Sequence, residues 1–247
     1  EQLRDTLLHA LDMYASGPRV IQTQLCLALA ALALQMPESR WGAVIPQMIE
    51  RFGSAPTTVG VLLEFLTVLP EEVSMNHRIP IDNAAYHERV PQLLTQHAPT
   101  VLQVLYMYIR ADGVTTPIQA MILACLRSWL KAGEVSALQL AETPLLACAF
   151  DALQDEELLD CASYHDLDIV QITFRFWYLL ASDVHKALEQ GESSALPFRD
   201  VYEQLFAVIL RHLRFPNDDE DTLTGQERDD FRSFRHYMGD TLKDCCY

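Results

Sequence analysis

Hydrophobic residues recur along the chain with one set of offsets. Trp41, Val44, Ile45, Met48, Ile49 and Phe52 fall at 0, 3, 4, 7, 8 and 11, which places all six on one stripe of an α-helix. Ile118, Met121, Ile122, Cys125, Leu126 and Trp129 repeat those offsets, as do Phe198, Val201, Tyr202, Leu205, Phe206 and Ile209. No stretch of similar length shows the strict alternation of a half-buried strand. Between the one-faced segments lie others that are apolar almost all round. In 20–36, Ile21, Leu25, Leu27, Leu29, Leu32 and Leu34 leave hardly any polar face, so that helix needs cover on several sides. The two kinds alternate as stacked helix pairs require, because one pair cannot bury its own apolar surface without neighbours.

Proline and glycine punctuate this pattern. Gly17-Pro18, Pro37, Pro56, Pro70, Pro117, Pro144, Pro197 and Pro216 each read as a boundary, since the first helical turn tolerates proline and the interior does not. The expected pairs are 2–15 with 18–36, 41–53 with 56–69, 82–112 with 115–132, and 197–214 with 226–247. From Pro18 to Pro56 is 38 residues, close to the roughly 40-residue period of HEAT repeats. The segment 70–81 reads as an inserted loop. Trp41, Ile49, Ile122, Trp129, Trp177 and Leu205 are expected in the core.

Composition narrows the class. Half of the 247 residues are hydrophobic, enough for a substantial core and against disorder. The longest apolar stretch, 25–34, is far below the roughly 20 residues of a membrane helix, and no basic leader precedes an apolar run at the start. Acidic residues outnumber basic ones by 34 to 18, for a net charge of −16. Such a field repels nucleic acid and favours basic partners, while also serving solubility. Cys26, Cys125, Cys148, Cys161, Cys245 and Cys246 follow no metal-clip spacing. They read as reduced core thiols of a cytosolic or nuclear protein.

Catalytic signatures are missing. The nine glycines form no G-x-G-x-x-G and no phosphate-cradling loop. His9, His77, His87, His97, His165, His185, His212 and His236 are scattered without an H-E-x-x-H pair or a zinc spacing. Tyr164-His165-Asp166 could serve as a general-base relay, but no nucleophile is placed beside it, and a polar turn is the plainer reading. Phe174, Phe176, Trp177 and Tyr178 read as core rather than a ligand cage. The expectation is a non-enzyme with no metal and no cofactor.

Several segments resemble the importin-beta superfamily of karyopherins, its transportin-SR branch in particular. Leu3-Arg4-Asp5-Thr6-Leu7-Leu8, Thr23-Gln24-Leu25-Cys26-Leu27-Ala28 and Ala31-Leu32-Ala33-Leu34-Gln35-Met36 resemble early repeats of those receptors, as does Leu66-Thr67-Val68-Leu69-Pro70-Glu71-Glu72-Val73. Asp168-Ile169-Val170-Gln171-Ile172-Thr173-Phe174-Arg175-Phe176-Trp177-Tyr178, Phe231-Arg232-Ser233-Phe234-Arg235 and Gly239-Asp240-Thr241-Leu242-Lys243-Asp244 resemble later ones. The resemblance implies an all-α, right-handed superhelical HEAT-repeat solenoid of antiparallel helix pairs, continuous over 1–247 as an internal fragment of a longer receptor. Relative to the family, about two helix pairs of roughly 40 residues each are missing at about 156–160.

The implied function is nuclear import of basic cargo: RNA-binding proteins with arginine- and serine-rich or arginine- and glycine-rich segments, released by Ran-GTP. Nucleoporin FG repeats would be further partners, with no direct nucleic acid and no membrane, and the receptor would shuttle between nucleus and cytoplasm. A static HEAT scaffold and a related export or bidirectional karyopherin are the alternatives. The acidic run Asp218, Asp219, Glu220 and Asp221 reads either as a solvated loop or as an attractor for basic residues of a partner. In the helix after it, Glu227, Asp230, Phe231, Phe234, Met238 and Leu242 form one stripe, and Asp229, Arg232, Arg235, Asp240 and Lys243 lie on the other face. The candidate partner-binding residues are therefore Asp218, Asp219, Glu220, Asp221, Asp229, Asp230, Arg232, Arg235, Asp240 and Lys243.

Overall fold

The computed structural model describes residues 1–75 and 79–136, and beyond them 139–140, 143, 145, 178–186, 189, 202–204, 206–207, 210, 232, 235–236, 238–240 and 242–243. Every regular element among the described residues is helical. The chain divides into two compact units, Glu1–Val135 and Ser136–Tyr247. The first comprises α1 (Gln2–Met13), α2 (Arg19–Gln35), α3 (Glu38–Trp41), α4 (Val44–Phe52), α5 (Val59–Met75), α6 (Asn83–Leu93), a 3-10 turn (Thr95–His97), α7 (Ala98–Ile109) and α8 (Thr116–Lys131).

Helices α2, α5 and α8 form the inner layer. α2 packs against α5 and α5 against α8, while α1 pairs with α2, α4 with α5 and α7 with α8. Residues 61–66 of α5 are all buried, covered on both flanks. Each fully buried Leu, Val or Phe contributes about 1.5–3 kcal/mol, so this row dominates the stability of the unit. The outer helices are joined by polar contacts. Arg51 of α4 clasps the Asp12 carboxylate of α1, with Nε at 3.1 and 3.0 Å from its two oxygens, and Tyr108 of α7 donates to the Gly53 carbonyl at 2.9 Å. Gly53 has to be glycine there: an added Cβ would lie 2.5 Å from the Ile49 carbonyl oxygen and 2.8 Å from the Tyr108 hydroxyl. α8 ends in a Schellman motif, with Gly133 at φ 77° donating to Leu130 and Glu134 donating to Trp129.

Three boundaries differ from the sequence reading. Pro70 does not end its helix; α5 runs through it to Met75. Proline lacks the N–H that the Leu66 carbonyl, four residues earlier, would accept. α8 supplies the donors: Trp129 Nε1 bonds the Leu66 carbonyl at 2.9 Å and the Ser128 hydroxyl bonds the Thr67 carbonyl at 2.6 Å. The stretch 82–112 is not one helix. It breaks at Leu94 into α6, the 3-10 turn and α7, with Pro99 in the first turn of α7, and α6 packs on α2. Likewise 41–53 divides into α3 and α4 around Gly42 and Ala43.

Of the six expected core residues, Trp41, Ile122 and Trp129 are buried, and Ile49 is only partly so. Trp177 and Leu205 lie outside the described residues, as does the junction at 156–160. In the second unit Leu140, Leu145, Leu180, Val184 and Met238 are buried. Tyr178, read as core, is 48% exposed.

Trp129→Phe removes the donor to Leu66 while keeping most of the ring. We expect a loss of about 1–3 kcal/mol, the cost of stranding a buried carbonyl, measured by urea unfolding. In a Pro70→Ala background the backbone regains its own donor, so the cost should fall by about 0.5 kcal/mol or more in a double-mutant cycle. Equal costs in both backgrounds would contradict this pairing.

Candidate partner-binding site

The described part of the sequence-predicted contact helix is helical at Arg232, Arg235, His236, Met238–Asp240, Leu242 and Lys243. Met238 is fully buried and Leu242 partly buried, while Arg232, Arg235, Asp240 and Lys243 are exposed. The helix thus packs one stripe and presents a charged one. Asp218, Asp219, Glu220, Asp221, Asp229 and Asp230 lie outside the described residues. The charge itself is unevenly distributed. Residues 1–135 carry 12 acidic and 9 basic groups, and residues 136–247 carry 22 and 9. A net −13 therefore falls on the second unit and −3 on the first, which concentrates the field available to a basic partner.

Two charged positions in the first unit were not singled out from sequence. Arg89, on α6, is 4% exposed. Its Nε donates to the Ala33 carbonyl at 3.1 Å, its Nη1 to Gln92 at 3.1 Å, and its Nη2 to the Trp41 carbonyl. Gln92 in turn donates to Glu38 at 3.0 Å. One guanidinium thus ties the ends of α2 and α3 to α6, where carbonyl groups lack intrahelical partners. Burial pulls its pKa down and Glu38 offsets part of that, yet the group stays charged. Beside it lies a cleft of about 150 Å³ lined by Met36, Pro37, Glu38, Ile81, Glu88 and Arg89, among others.

Glu64, on α5, is 8% exposed. It accepts from the Thr23 hydroxyl at 2.6 Å and from Arg19 at 3.4 Å, both on α2. Seven residues on, Glu71 faces Arg127 of α8 at 4.0 Å. The signal for Arg89 and Glu64 was present in the sequence: each is a lone charge at a position that its apolar stripe or run would fill.

Cys26 and Cys125 are buried thiols. Burial raises both pKa values, Cys125 to about 12, so neither forms the reactive thiolate near neutral pH. Among the described residues no group of three His, Cys, Asp or Glu could hold a metal ion. Among the same residues no helix is long and apolar enough to cross a membrane. Tyr164-His165-Asp166 lies outside them.

Packed helix pairs, with helices alone among the described residues, define an all-α protein of the helical-repeat class. Residues 18–164 match the family described as Exportin 1-like protein, and the chain belongs to that family, within the importin-beta superfamily. Residues 120–212 match the Transportin-3/Importin-13 second TPR domain. Importin-13 of Gallus gallus is 31% identical over 66% of the chain and 17% of its own length. The mRNA transport regulator MTR10 of Saccharomyces cerevisiae is 24% identical over 99% of the chain and 34% of its own length. An uncharacterized protein of Schizosaccharomyces pombe is 25% identical over 99% of the chain and 35% of its own length. The chain thus spans about a third or less of these relatives. The last alignment covers 343 residues against the 247 of this chain, so at least 96 aligned positions have no counterpart here.

Two expected outcomes test the groups shielded within the first unit. Arg89→Lys should cost about 1–3 kcal/mol and Arg89→Ala about 3–5 kcal/mol in denaturant unfolding, because lysine lacks the planar fork and alanine strands buried carbonyls. A cost for Arg89→Ala below about 0.5 kcal/mol would show that the carbonyls find water instead. His97 has its pKa lowered by burial. As pH falls below the ordinary value near 6.5, the unfolded chain binds a proton that the folded one resists, so stability drops until the folded pKa is passed. His97→Gln should flatten the melting temperature between pH 7 and about pH 5; an unchanged slope would assign it to other histidines.

Proposed function

We propose that this chain is part of a nuclear import receptor. In this reading the receptor carries basic RNA-binding cargo, rich in arginine with serine or glycine, into the nucleus and releases it to Ran-GTP. The family match over 18–164 carries the reading, and the relatives, importin-13 and an mRNA transport regulator, support its direction. The net −13 of the second unit suits a basic partner, through charge-assisted contacts summed over many residues. The receptor works as a shuttling carrier rather than an enzyme. It moves between cytoplasm and nucleus, meets nucleoporin FG repeats in the pore, and touches neither nucleic acid nor membrane directly. Residues 1–247 are a fragment of the HEAT-repeat array of a longer receptor.

About two further helix pairs of the receptor belong at 156–160. At least 96 unmatched aligned positions agree with roughly 40 residues per pair. Peptide mapping of the natural protein should find extra residues between Glu156 and Asp160. A peptide reading straight through 151–165 would show that the shortening is genuine.

Capture by immobilised Ran-GTP, but not Ran-GDP, is expected of the full receptor, with basic cargo displaced. A static scaffold would show no nucleotide dependence. Reversing Asp218, Asp219, Glu220, Asp221, Asp229 and Asp230 to lysine should weaken binding of a basic partner about tenfold or more, while exposed pairs cost under about 1 kcal/mol each in stability. Added salt should mimic the substitutions by screening charges beyond about 8 Å. Unchanged affinity and salt dependence would move the binding surface to Arg232, Arg235, Asp240 and Lys243 or to other repeats.

A further inference from the structure

We propose that α5 carries an arginine-exchange surface, in which Glu64 and Glu71 hold Arg19 and Arg127 as placeholders and take two arginines of a basic partner in their stead. The proposal rests on the basic-partner reading above and narrows it to a residue spacing and a place.

The carrying observation is the mismatch around Glu64. Its carboxylate is nine-tenths buried, and a buried charge needs short, charge-assisted bonds to offset its lost hydration. One oxygen has such a bond, from Thr23 at 2.6 Å. Among the described residues the other meets Arg19 alone, at 3.4 Å, where about 2.7–2.9 Å is normal for a guanidinium on a carboxylate. Arg19 is itself 72% exposed, so its guanidinium is held mainly by this long contact and gives it up at small cost. Glu71 repeats the arrangement more openly: Arg127 stands 4.0 Å away, with side chains 22% and 37% exposed.

The geometry of α5 sets what fits. Glu64 and Glu71 are seven residues apart, close to two turns, so they share a face about 10 Å apart along the axis. The solvent-reaching positions between and around them are small: Gly60, Thr67 and Ser74 are each only partly buried. A Cβ added at Gly60 would meet nothing nearer than Met121 Sδ at 3.9 Å. An arginine reaches such acceptors with an aliphatic stem and a fork of donors. A peptide in the polyproline II conformation sets residues i and i+3 on one side, about 9 Å apart. The surface therefore fits an Arg-x-x-Arg segment, with one guanidinium on Glu64 and the next on Glu71.

The exchange predicts effects of opposite sign from the two halves of one ion pair. Fluorescence anisotropy with a labelled Gly-Arg-Gly-Gly-Arg-Gly peptide is the assay, run on the whole chain. Arg19→Ala and Arg127→Ala should each tighten binding about threefold, by removing the competing cation, and Glu64→Gln should weaken it about tenfold. Moving the two arginines next to each other should weaken wild-type binding by a similar factor. Melting temperatures identify any variant that fails to fold, and the variant of the exposed Arg19 keeps the test decisive if Glu64→Gln does. If Arg19→Ala lowers the melting temperature and leaves binding unchanged or weaker, the pair is a brace between α2 and α5 and the exchange is wrong. Absence of peptide binding to the wild-type chain overturns it equally. Ran-GTP capture by the full receptor carrying the same substitutions reads the import proposal separately, since loss there for the wild-type receptor would sink import and not the exchange.

Discussion

Burial of α5 between α2 and α8 is the constraint on which the first unit depends. A helix apolar on almost every side is insoluble alone and stable only when flanked, and residues 61–66 of α5 have no exposed member. That burial dictates the polar chemistry around it. Once Pro70 interrupts the backbone bonding of a helix shielded from water, a freed carbonyl must find a partner in a neighbour. α8 places Trp129 and Ser128 at that point. The same packing brings Thr23 and Arg19 of α2 onto Glu64, the one charge within that run.

The polar contacts fall into two physical kinds. Arg89, Trp129 and Tyr108 satisfy backbone carbonyls at helix ends and at the proline break; removing Arg89 or Trp129 strands a shielded acceptor. Arg19 on Glu64 and Arg127 on Glu71 are long contacts from partly or largely exposed arginines, and such pairs add little to stability. The first kind holds the repeats in register. The second kind is weak enough for a competing cation to displace. Most of the net negative charge lies on the second unit, and a charge of one sign acts on oppositely charged groups at long range.

Helical periodicity made the layer of pairs legible, because the stripe through Trp41 and the one through Trp129 are the buried faces of α4 and α8. It also overreached. Ile49 sits on the same stripe as Met48 yet is only partly buried, while Phe52 in the same turn is fully buried, so the stripe is narrower than the spacing implied. Pro70 was read as a stop because local rules say so, and the rescue by Trp129 comes from 59 residues further along the chain, where no local rule reaches. The break at Leu94 was missed because Pro91 and Pro99 flank apolar residues that keep the helical period on both sides. Of the candidate contact residues, Arg232, Arg235, Asp240 and Lys243 face solvent around buried Met238, a placement that the three-and-four spacing contained. Arg89 and Glu64 were legible only as charges in apolar surroundings, and the acceptors that explain them lie on other helices.

Native-state hydrogen exchange tests the dependence on α5 most directly. If the row α2, α5 and α8 is the cooperative core, the slowest amides of 61–69 and 122–130 exchange only through global unfolding, with a denaturant dependence equal to that of the whole unit. Those of α1 and α6, each flanked on fewer sides, exchange earlier through local opening. Amides of α5 exchanging as fast as those of α1, or with a smaller denaturant dependence than the unit, would contradict the account.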